Sequence, residues 1–282
     1  MITDLFLLLR PQQWYKNALV YLPLFFARAI TAEHLLLTTI GFVALCFISS
    51  TNYIINDIVD IKRDRAHPEK RQRPLASQKI PLWAGIVLAL TLFVSAVAIA
   101  GPLGQRFAAS ILFLFLFTQF YSFVLKHEVF ADIIAISINF VIRANSGAYL
   151  IDVPISNWLV IGVFFFALFL ASGKRHADLL LLKDKATTHK KTLKYYTPEI
   201  TNALMIISTT ILLFTYTLFT FLSTHKNLIY TIPFALYAIL RYAMLASQGS
   251  IIARHPHYGI TDIKLVISSL LWVAITGFLL YY

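Results

Sequence analysis

The chain has 282 residues, of which 59% are hydrophobic, 15% aromatic and only 13% charged, and its mean hydropathy is +0.73. This composition excludes an ordinary soluble domain and indicates an integral membrane protein. The net charge of +11 suits anionic lipid headgroups and anionic substrates, and it does not indicate nucleic acid because the basic residues lie beside apolar runs.

Apolar runs of about 20 residues, each long enough to cross a hydrocarbon core of roughly 30 Å, recur along the chain. They predict nine transmembrane helices, at about 17–30, 33–56, 81–101, 107–125, 130–150, 156–173, 199–222, 228–247 and 262–281. We therefore expect an all-α protein in which residues 1–282 form a single polytopic membrane domain. Two polar loops, 57–80 and 174–198, follow the second and sixth spans, and this spacing suggests two four-helix halves.

The positions of Lys and Arg predict the orientation, because cytoplasmic loops are enriched in both. With the N-terminus in the cytoplasm, only Arg28, Arg106 and Lys226 face the other side, while Arg143 and Arg241 fall within spans. Both polar loops then lie on the cytoplasmic face. We expect a multi-pass protein of the cell membrane with its N-terminus and catalytic loops in the cytoplasm.

The first polar loop begins with carboxylates. Asp57, Asp60 and Asp64 are spaced i, i+3 and i+7, so on a helix they share one face, and Asn52 and Asn56 extend this stripe into the membrane. Carboxylates in this arrangement suit Mg²⁺, which takes oxygen ligands and bridges to substrate phosphates. The positive-inside rule does not account for carboxylates, and placing polar groups near hydrocarbon costs free energy. A functional role of this Asn-Asp stripe is therefore favoured.

Basic residues follow these carboxylates. Lys70, Arg71 and Arg73 can donate charge-assisted hydrogen bonds to phosphate oxygens. For three further basic residues two interpretations stay open: Lys62, Arg63 and Arg65. They can serve the site, or they can set the orientation in the membrane and pair with neighbouring charges in water.

The second polar loop opens with Lys174 and Arg175, which can bind phosphate. Asp178 lies one helical turn beyond Lys174, where it can orient that lysine or reach a metal ion. The basic run that follows fits a solvated, lipid-facing surface: Lys183, Lys185, Lys190, Lys191 and Lys194.

Span five carries Asp132, Asn139 and Arg143 on one face. Asp132 and Arg143 lie about 16 Å apart along the helix axis, so each needs a partner on another helix or on a ligand, and Arg143 is predicted to bind an anion. Further polar residues flank spans on the same cytoplasmic face: Arg10, Lys16, Asn17, Tyr121 and Lys126. For Arg10 and Lys16, side chains that merely reach the lipid headgroups stay an open alternative. Arg241 and Asp262 form a candidate pair across spans eight and nine, without assigned chemistry.

The pattern of the first loop, Asn52-x-x-x-Asn56-Asp57-x-x-Asp60-x-x-x-Asp64 after the second span, resembles the UbiA superfamily of membrane prenyltransferases. Five stretches are similar to its decaprenyl-phosphate phosphoribosyltransferase branch: LRPQQWYKN (9–17), DRAHPEKRQRPLA (64–76), YSFVLK (121–126), FVIRANSGA (140–148) and GKRHAD (173–178). The second aspartate-rich motif of the prenyltransferases is not preserved here. Asp178 also stands where the branch generally has Glu.

The resemblance implies a UbiA-like helical bundle with a cytoplasmic-facing active site. The implied reaction is Mg²⁺-dependent transfer of 5-phosphoribose from phosphoribosyl diphosphate to a polyprenyl phosphate, with release of diphosphate. The implied metal ligands are Asp57 and Asp60, with Asp64 as a further candidate. The implied catalytic residues are Asp57, Asp60 and Arg143. The remaining predicted substrate ligands are Lys16, Asn17, Asn52, Asn56, Lys70, Arg71, Arg73, Tyr121, Lys126, Lys174, Arg175 and Asp178.

Three alternatives stay open. Transfer of a prenyl group from a prenyl diphosphate to an aromatic acceptor would require two aspartate-rich motifs. A transporter would use Asp132 and Arg143 to line a path, whereas the polar residues here cluster at one face. A non-catalytic scaffold would not need the Asn-Asp stripe. The lipid bilayer is an expected partner, and self-association and prenyl chain length are left open.

Overall fold

The computed structural model describes residues 2–66, 70–182 and 191–282, and all regular elements in these ranges are helical. The α-helices are α1 Ile2–Leu9, α2 Leu22–Phe26, α3 Ala32–Val59, α4 Ile61–Arg65, α5 Leu82–Ala100, α6 Gln105–Phe123, α7 Ala131–Leu150, α8 Asn157–Leu182, α9 Pro198–Leu222, α10 Ile232–Ser247, α11 Ile251–Arg254 and α12 Ile263–Tyr281. Shorter 3₁₀ helices span Pro11–Tyr21, Lys70–Gln72, Leu125–His127, Lys191–Tyr195, Lys226–Thr231 and Pro256–Thr261.

Eight helices in the described ranges are long and apolar enough to cross a membrane. They correspond to the second to ninth predicted spans, so this part of the sequence prediction is confirmed. The first predicted span, 17–30, is divided between the 3₁₀ helix Pro11–Tyr21 and the five-residue helix α2. The number nine is therefore not confirmed.

The chain divides into two compact units, which are described separately. The first contains residues 1–122 and 142–154, and the second contains residues 123–141 and 155–282. In the first unit α3 packs along α5, and its core includes Ile48 and Phe107, both fully buried. Gly147 on α7 lies so close to the 3₁₀ helix that an added Cβ atom would be 2.0 Å from the carbonyl oxygen of Val20.

In the second unit α8 packs against α9, α10 and α11. Phe169 on α8 and Tyr242 on α10 meet edge to face, with ring centroids 5.2 Å apart, which is a favoured geometry for aromatic pairs. Of the predicted lipid-facing lysines, Lys194 is exposed. Lys183, Lys185 and Lys190 lie outside the described residues, as does the side chain of Lys191.

Candidate active site

The first unit contains a cluster of two carboxylates and two guanidinium groups. Asp57 and Asp64 are 3% and 2% exposed. Nη1 of Arg73 donates to Oδ1 of Asp57 at 2.9 Å and to Oδ2 of Asp64 at 2.7 Å. Nη2 of Arg10 also donates to Oδ1 of Asp57. One cationic nitrogen therefore bridges two buried carboxylates.

A short break at Asp60 separates α3 from α4. Helix α3 ends at Val59, Asp60 connects the two helices, and α4 begins at Ile61. Helical backbone hydrogen bonds continue across the break, from the amide of Asp60 to the carbonyl of Asn56 at 3.0 Å and from the amide of Asp64 to the carbonyl of Asp60 at 2.8 Å. The carboxylate of Asp60 accepts a hydrogen bond from Arg63 at 3.3 Å. That Asp57, Asp60 and Asp64 share one helical face stays a prediction.

The predicted metal site lies at the same break. Among residues 2–66, 70–182 and 191–282, no group of three or more His, Cys, Asp or Glu side chains is placed to hold a metal ion. Asp57 and Asp64 nevertheless fit Mg²⁺ by chemistry, because both offer carboxylate oxygens to one shared cation, the guanidinium of Arg73. The metal roles of all three aspartates remain predictions.

Arg10 is held in an uncommon backbone conformation. Its φ of 51° is left-handed although the next residue is Pro11, and such strain outside glycine recurs at functional sites. The guanidinium also lies over the ring of Tyr53, 5.2 Å from its centroid. Sequence analysis did not select Tyr53, although it lies one turn before Asp57 on the same face of α3. Lys16 also lies within electrostatic reach of Tyr53.

Arg143 and Asn17 form the second polar contact of this unit. Nε of Arg143 donates to Oδ1 of Asn17 at 2.9 Å, and the hydroxyl of Ser49 donates to the same oxygen at 3.2 Å. Asn17 and Arg143 are 1% and 7% exposed. The prediction that Arg143 would find a partner outside α7 is confirmed.

Asn52 on α3 accepts a hydrogen bond from Gln119 on α6. Sequence analysis missed Gln119, although a lone amide in an apolar span was a visible signal.

Lys70 and Arg71 begin the short helix before Arg73, with Lys70 half-buried and Arg71 exposed. Burial, and secondly the charge of Arg73, lower the pKa of Lys70 below its usual value. Lys70 therefore lies within electrostatic reach of the carboxylate cluster.

The second unit contains a buried ion pair. Nη2 and Nε of Arg175 donate to Oδ2 of Asp132 at 3.1 and 3.3 Å, and the hydroxyl of Tyr196 donates to Oδ1 at 2.7 Å. Asp132 is fully buried and Arg175 is 6% exposed. Burial, followed by the hydrogen bond to Asp132, raises the pKa of Tyr196, so its phenol stays protonated. Arg175, predicted to bind phosphate, thus has its charge balanced within the protein.

Asp178 also takes basic partners in this unit. Nε of Arg254 donates to its Oδ1 at 2.9 Å, and Arg175 approaches to 3.9 Å. Burial, together with the charges of Lys174 and Arg254, lowers the pKa of the adjacent His255. Asp178 therefore pairs with Arg254 and lies near Arg175, and its predicted role in orienting Lys174 or reaching a metal ion stays a prediction. The candidate pair Arg241 and Asp262 is confirmed, with the closest atoms 2.6 Å apart.

The two units divide the predicted site residues. The first holds Lys16, Asn17, Asn52, Asn56, Asp57, Asp60, Asp64, Lys70, Arg71, Arg73, Tyr121 and Arg143, and the second holds Lys126, Lys174, Arg175 and Asp178. The chemistry of both sets is the same, because cations in each surround one or two buried carboxylates. Cations and carboxylates in this arrangement are chemically suited to phosphate groups and to a divalent cation, respectively.

Comparison with known proteins identifies the family of the chain. The profile of the UbiA prenyltransferase family matches residues 18–254. A protein of Mycolicibacterium smegmatis named decaprenyl-phosphate phosphoribosyltransferase is 32% identical, over 100% of this chain and 94% of that protein. A protein of the same name from Corynebacterium glutamicum is 32% identical over 86% of this chain and 76% of its own length.

Solved structures show the same fold. A UbiA homolog from Archaeoglobus fulgidus, solved with DMAPP and Mg²⁺, superposes with a TM-score of 0.73 over 97% of both chains at 19% sequence identity. A structure of digeranylgeranylglyceryl phosphate synthase gives a TM-score of 0.67 over 97% of both chains. The helical fold and the eight apolar helices make the chain a multi-pass membrane protein. The chain belongs to the UbiA prenyltransferase family.

Proposed function

We propose that this protein transfers 5-phosphoribose from phosphoribosyl diphosphate to a polyprenyl phosphate in the membrane and releases diphosphate. The observation that carries the proposal is the 32% identity, along essentially the whole chain, to proteins named decaprenyl-phosphate phosphoribosyltransferase. The charges of the first unit support it, because both substrates are anionic and buried carboxylates stand among cations there.

The leaving diphosphate is the most highly charged group of the reaction. Asp57 and Asp60 would hold Mg²⁺, with Asp64 as the further ligand, and the bound ion would neutralise charge on the diphosphate. Arg73 contacts Asp57 and Asp64, so it already lies at this position and can turn its remaining donors to phosphate oxygens. Lys70 and Arg71 supply further cations from the next helix of the loop.

The attacking group is an oxygen of the lipid phosphate. It is already anionic, so the protein need not remove a proton before it attacks the first carbon of the ribose. Catalysis then consists of holding both substrates in line and balancing the charge on the leaving group. Arg143 and Lys16, with Asn17 fixing the guanidinium, are the residues that we assign to anion binding near the membrane interior.

We assign supporting roles to the remaining predicted residues. In the first unit, Asn52, Asn56 and Tyr121 would be substrate ligands. In the second unit, the predicted substrate ligands are Lys126, Lys174 and Asp178. Arg175 would position its neighbours through Asp132 and Asp178 rather than act as an independent phosphate ligand.

Orientation is part of the proposal. The soluble sugar donor is made in the cytoplasm, so the N-terminus and the two polar loops would face that side of the cell membrane. Residues 17–30 would complete a ninth membrane-inserted segment as a 3₁₀ helix followed by α2.

The test is a transfer assay in membranes with radiolabelled phosphoribosyl diphosphate, polyprenyl phosphates of several lengths and Mg²⁺. We expect label to enter the lipid phase, to be lost with EDTA and to be lost in Asp57→Asn. Asp152→Asn is the matched control, because 98% of the Asp152 side chain is exposed. Among the described residues its one ion pair is with Arg106, at 4.0 Å. Turnover of a prenyl diphosphate with an aromatic acid, without pentose transfer, would refute the proposal.

A further inference from the structure

An amide pair lies inside the first unit, on the membrane side of the polar loop. Nε2 of Gln119 on α6 donates to Oδ1 of Asn52 on α3. Two facing amides have enough donors and acceptors for two mutual hydrogen bonds, but this pair makes one. Within the described residues, Nδ2 of Asn52 and Oε1 of Gln119 are both buried without a hydrogen-bond partner.

These two atoms define the ligand that would satisfy them. One is a donor and the other an acceptor, and they belong to adjoining amides. Exchanging nitrogen and oxygen in both amides leaves the same pair, one free donor and one free acceptor. Buried polar groups are rarely left unpaired, and Asn52 is only 2% exposed, so a bound group is the economical explanation.

A hydroxyl group has the chemistry to satisfy both atoms, since its oxygen can accept a hydrogen bond from Asn52 while its hydrogen is donated to Gln119. An ionised phosphate offers only acceptors and would place a negative oxygen against Oε1 of Gln119. A prenyl chain offers neither a hydrogen-bond donor nor an acceptor. Of the two substrates proposed above, only the sugar donor carries hydroxyls.

The position of Asn52 agrees with a sugar ligand. Asn52, Asn56 and Asp60 are spaced i, i+4 and i+8 on and just beyond α3, so this row leads from the amide pair to the polar loop. We propose that Asn52 and Gln119 bind a ring hydroxyl, at C2 or C3, of the pentose in the sugar donor. This inference rests on the proposed function and adds a recognition site for the transferred group.

The experiment compares kcat/KM for phosphoribosyl diphosphate with kcat/KM for its 2-deoxy and 3-deoxy analogues. It uses the wild type, Gln119→Met, and the double variant Asn52→Leu with Gln119→Met. The double variant guards against misfolding, because removing both amides leaves neither partner of this pair as an unpaired buried polar group. Thr91→Val is the control, since Thr91 is exposed on α5 and its hydroxyl donates to the carbonyl of Val87 at 2.9 Å.

For the wild type and Thr91→Val we expect one deoxy analogue to be used on the order of 100-fold less efficiently than the full donor, as hydroxyl-reading sites discriminate strongly. In both amide variants the ratio of kcat/KM for the full donor to kcat/KM for that analogue should fall to a few-fold. The analogue's own reactivity cancels because the same compound is compared between proteins. An unchanged ratio for both analogues would overturn the inference and assign a water molecule to the pair.

Failure of the proposed function is distinguishable. If the wild type transfers no pentose, protection against thermal unfolding by phosphoribosyl diphosphate becomes the readout. Protection that requires the hydroxyl and disappears in Gln119→Met supports the amide site without any transfer. Protection that is absent, or equal in wild type and variant, overturns it.

Discussion

Arg73 lies between two carboxylates, where the proposed function would place Mg²⁺. Asp57 and Asp64 are both buried, and without a cation between them their charges would repel each other in a medium of low dielectric. The guanidinium balances both charges and thereby stabilises the loop. Under the proposed function its remaining donors would also bind substrate phosphate groups.

Replacing this arginine should make the fold depend on divalent cations. We expect Arg73→Met to lose about 2–4 kcal/mol of stability, as for other partly buried pairs that lose one partner. Added Mg²⁺ should then raise the apparent melting temperature in detergent more for the variant than for the wild type, because the ion replaces the missing charge.

The matched control is Arg63→Met, whose side chain is 67% exposed and pairs with Asp60 at 3.3 Å. Its change should stay within about 0.5 kcal/mol. An equal response of all three proteins to Mg²⁺ would contradict a cation site at Asp57 and Asp64.

Asp132 and Arg175 should be strongly coupled, because neither is exposed enough to be solvated alone. We expect Asp132→Asn to cost about 3–5 kcal/mol by leaving the guanidinium uncompensated. Tyr196→Phe should cost about 1–3 kcal/mol, since one acceptor loses its donor.

A double-mutant cycle measures this coupling. Asp132→Leu combined with Arg175→Met should be more stable than Asp132→Leu alone, because the second change removes the unpaired charge. Additive losses in thermal unfolding would show that the two side chains do not stabilise each other.

At the scale of elements, the end of α3 shows what helical spacing can and cannot predict. The spacing i, i+3 and i+7 predicts one face for three aspartates, and the backbone hydrogen bonds from Asp60 to Asn56 and from Asp64 to Asp60 continue the helical pattern there. Asp64 reaches Arg73 from the short helix α4. Helical spacing could not predict this contact, because it depends on how the loop after α4 folds back.

The approach of α7 to the 3₁₀ helix gives a sharper prediction. Gly147→Ala would place a methyl group 2.0 Å from the carbonyl oxygen of Val20, which is a backbone atom and cannot simply rotate away. We expect a loss of about 3 kcal/mol or more, and loss of activity, because Asn17 and Arg143 lie on the same two elements.

Gly162→Ala on α8 is the control, since an added Cβ atom there meets nothing within 4 Å. It should be neutral or stabilising by about 0.5–1 kcal/mol, as for other helical glycines. Melting temperatures of the two variants decide the matter. Equal values would mean that α7 and the 3₁₀ helix separate at little cost.

For the molecule as a whole, hydropathy predicted the membrane helices well because each span is a local property of about 20 residues. Residue type and spacing also selected the carboxylates and guanidinium groups that the described residues bury: Asp57, Asp64, Asp132, Arg143 and Arg175. The partners were not predictable, because they are distant in sequence: Arg10 meets Asp57 across 47 positions, and Gln119 meets Asn52 across 67. Only the packing of the helices determines such contacts.

Orientation in the membrane is the last expectation and can be tested with the single native cysteine in place. Cys46 is 2% exposed within α3, so it should not react with a membrane-impermeant maleimide. Lys226→Cys and Lys79→Cys introduce thiols at exposed positions in loops that the distribution of basic residues assigns to opposite faces. In intact spheroplasts we expect Lys226→Cys to be labelled and Lys79→Cys to be labelled only after permeabilisation. The reverse pattern would place the carboxylates of the first loop outside the cell, away from a cytoplasmic sugar donor, and would rule out the proposed reaction at that loop.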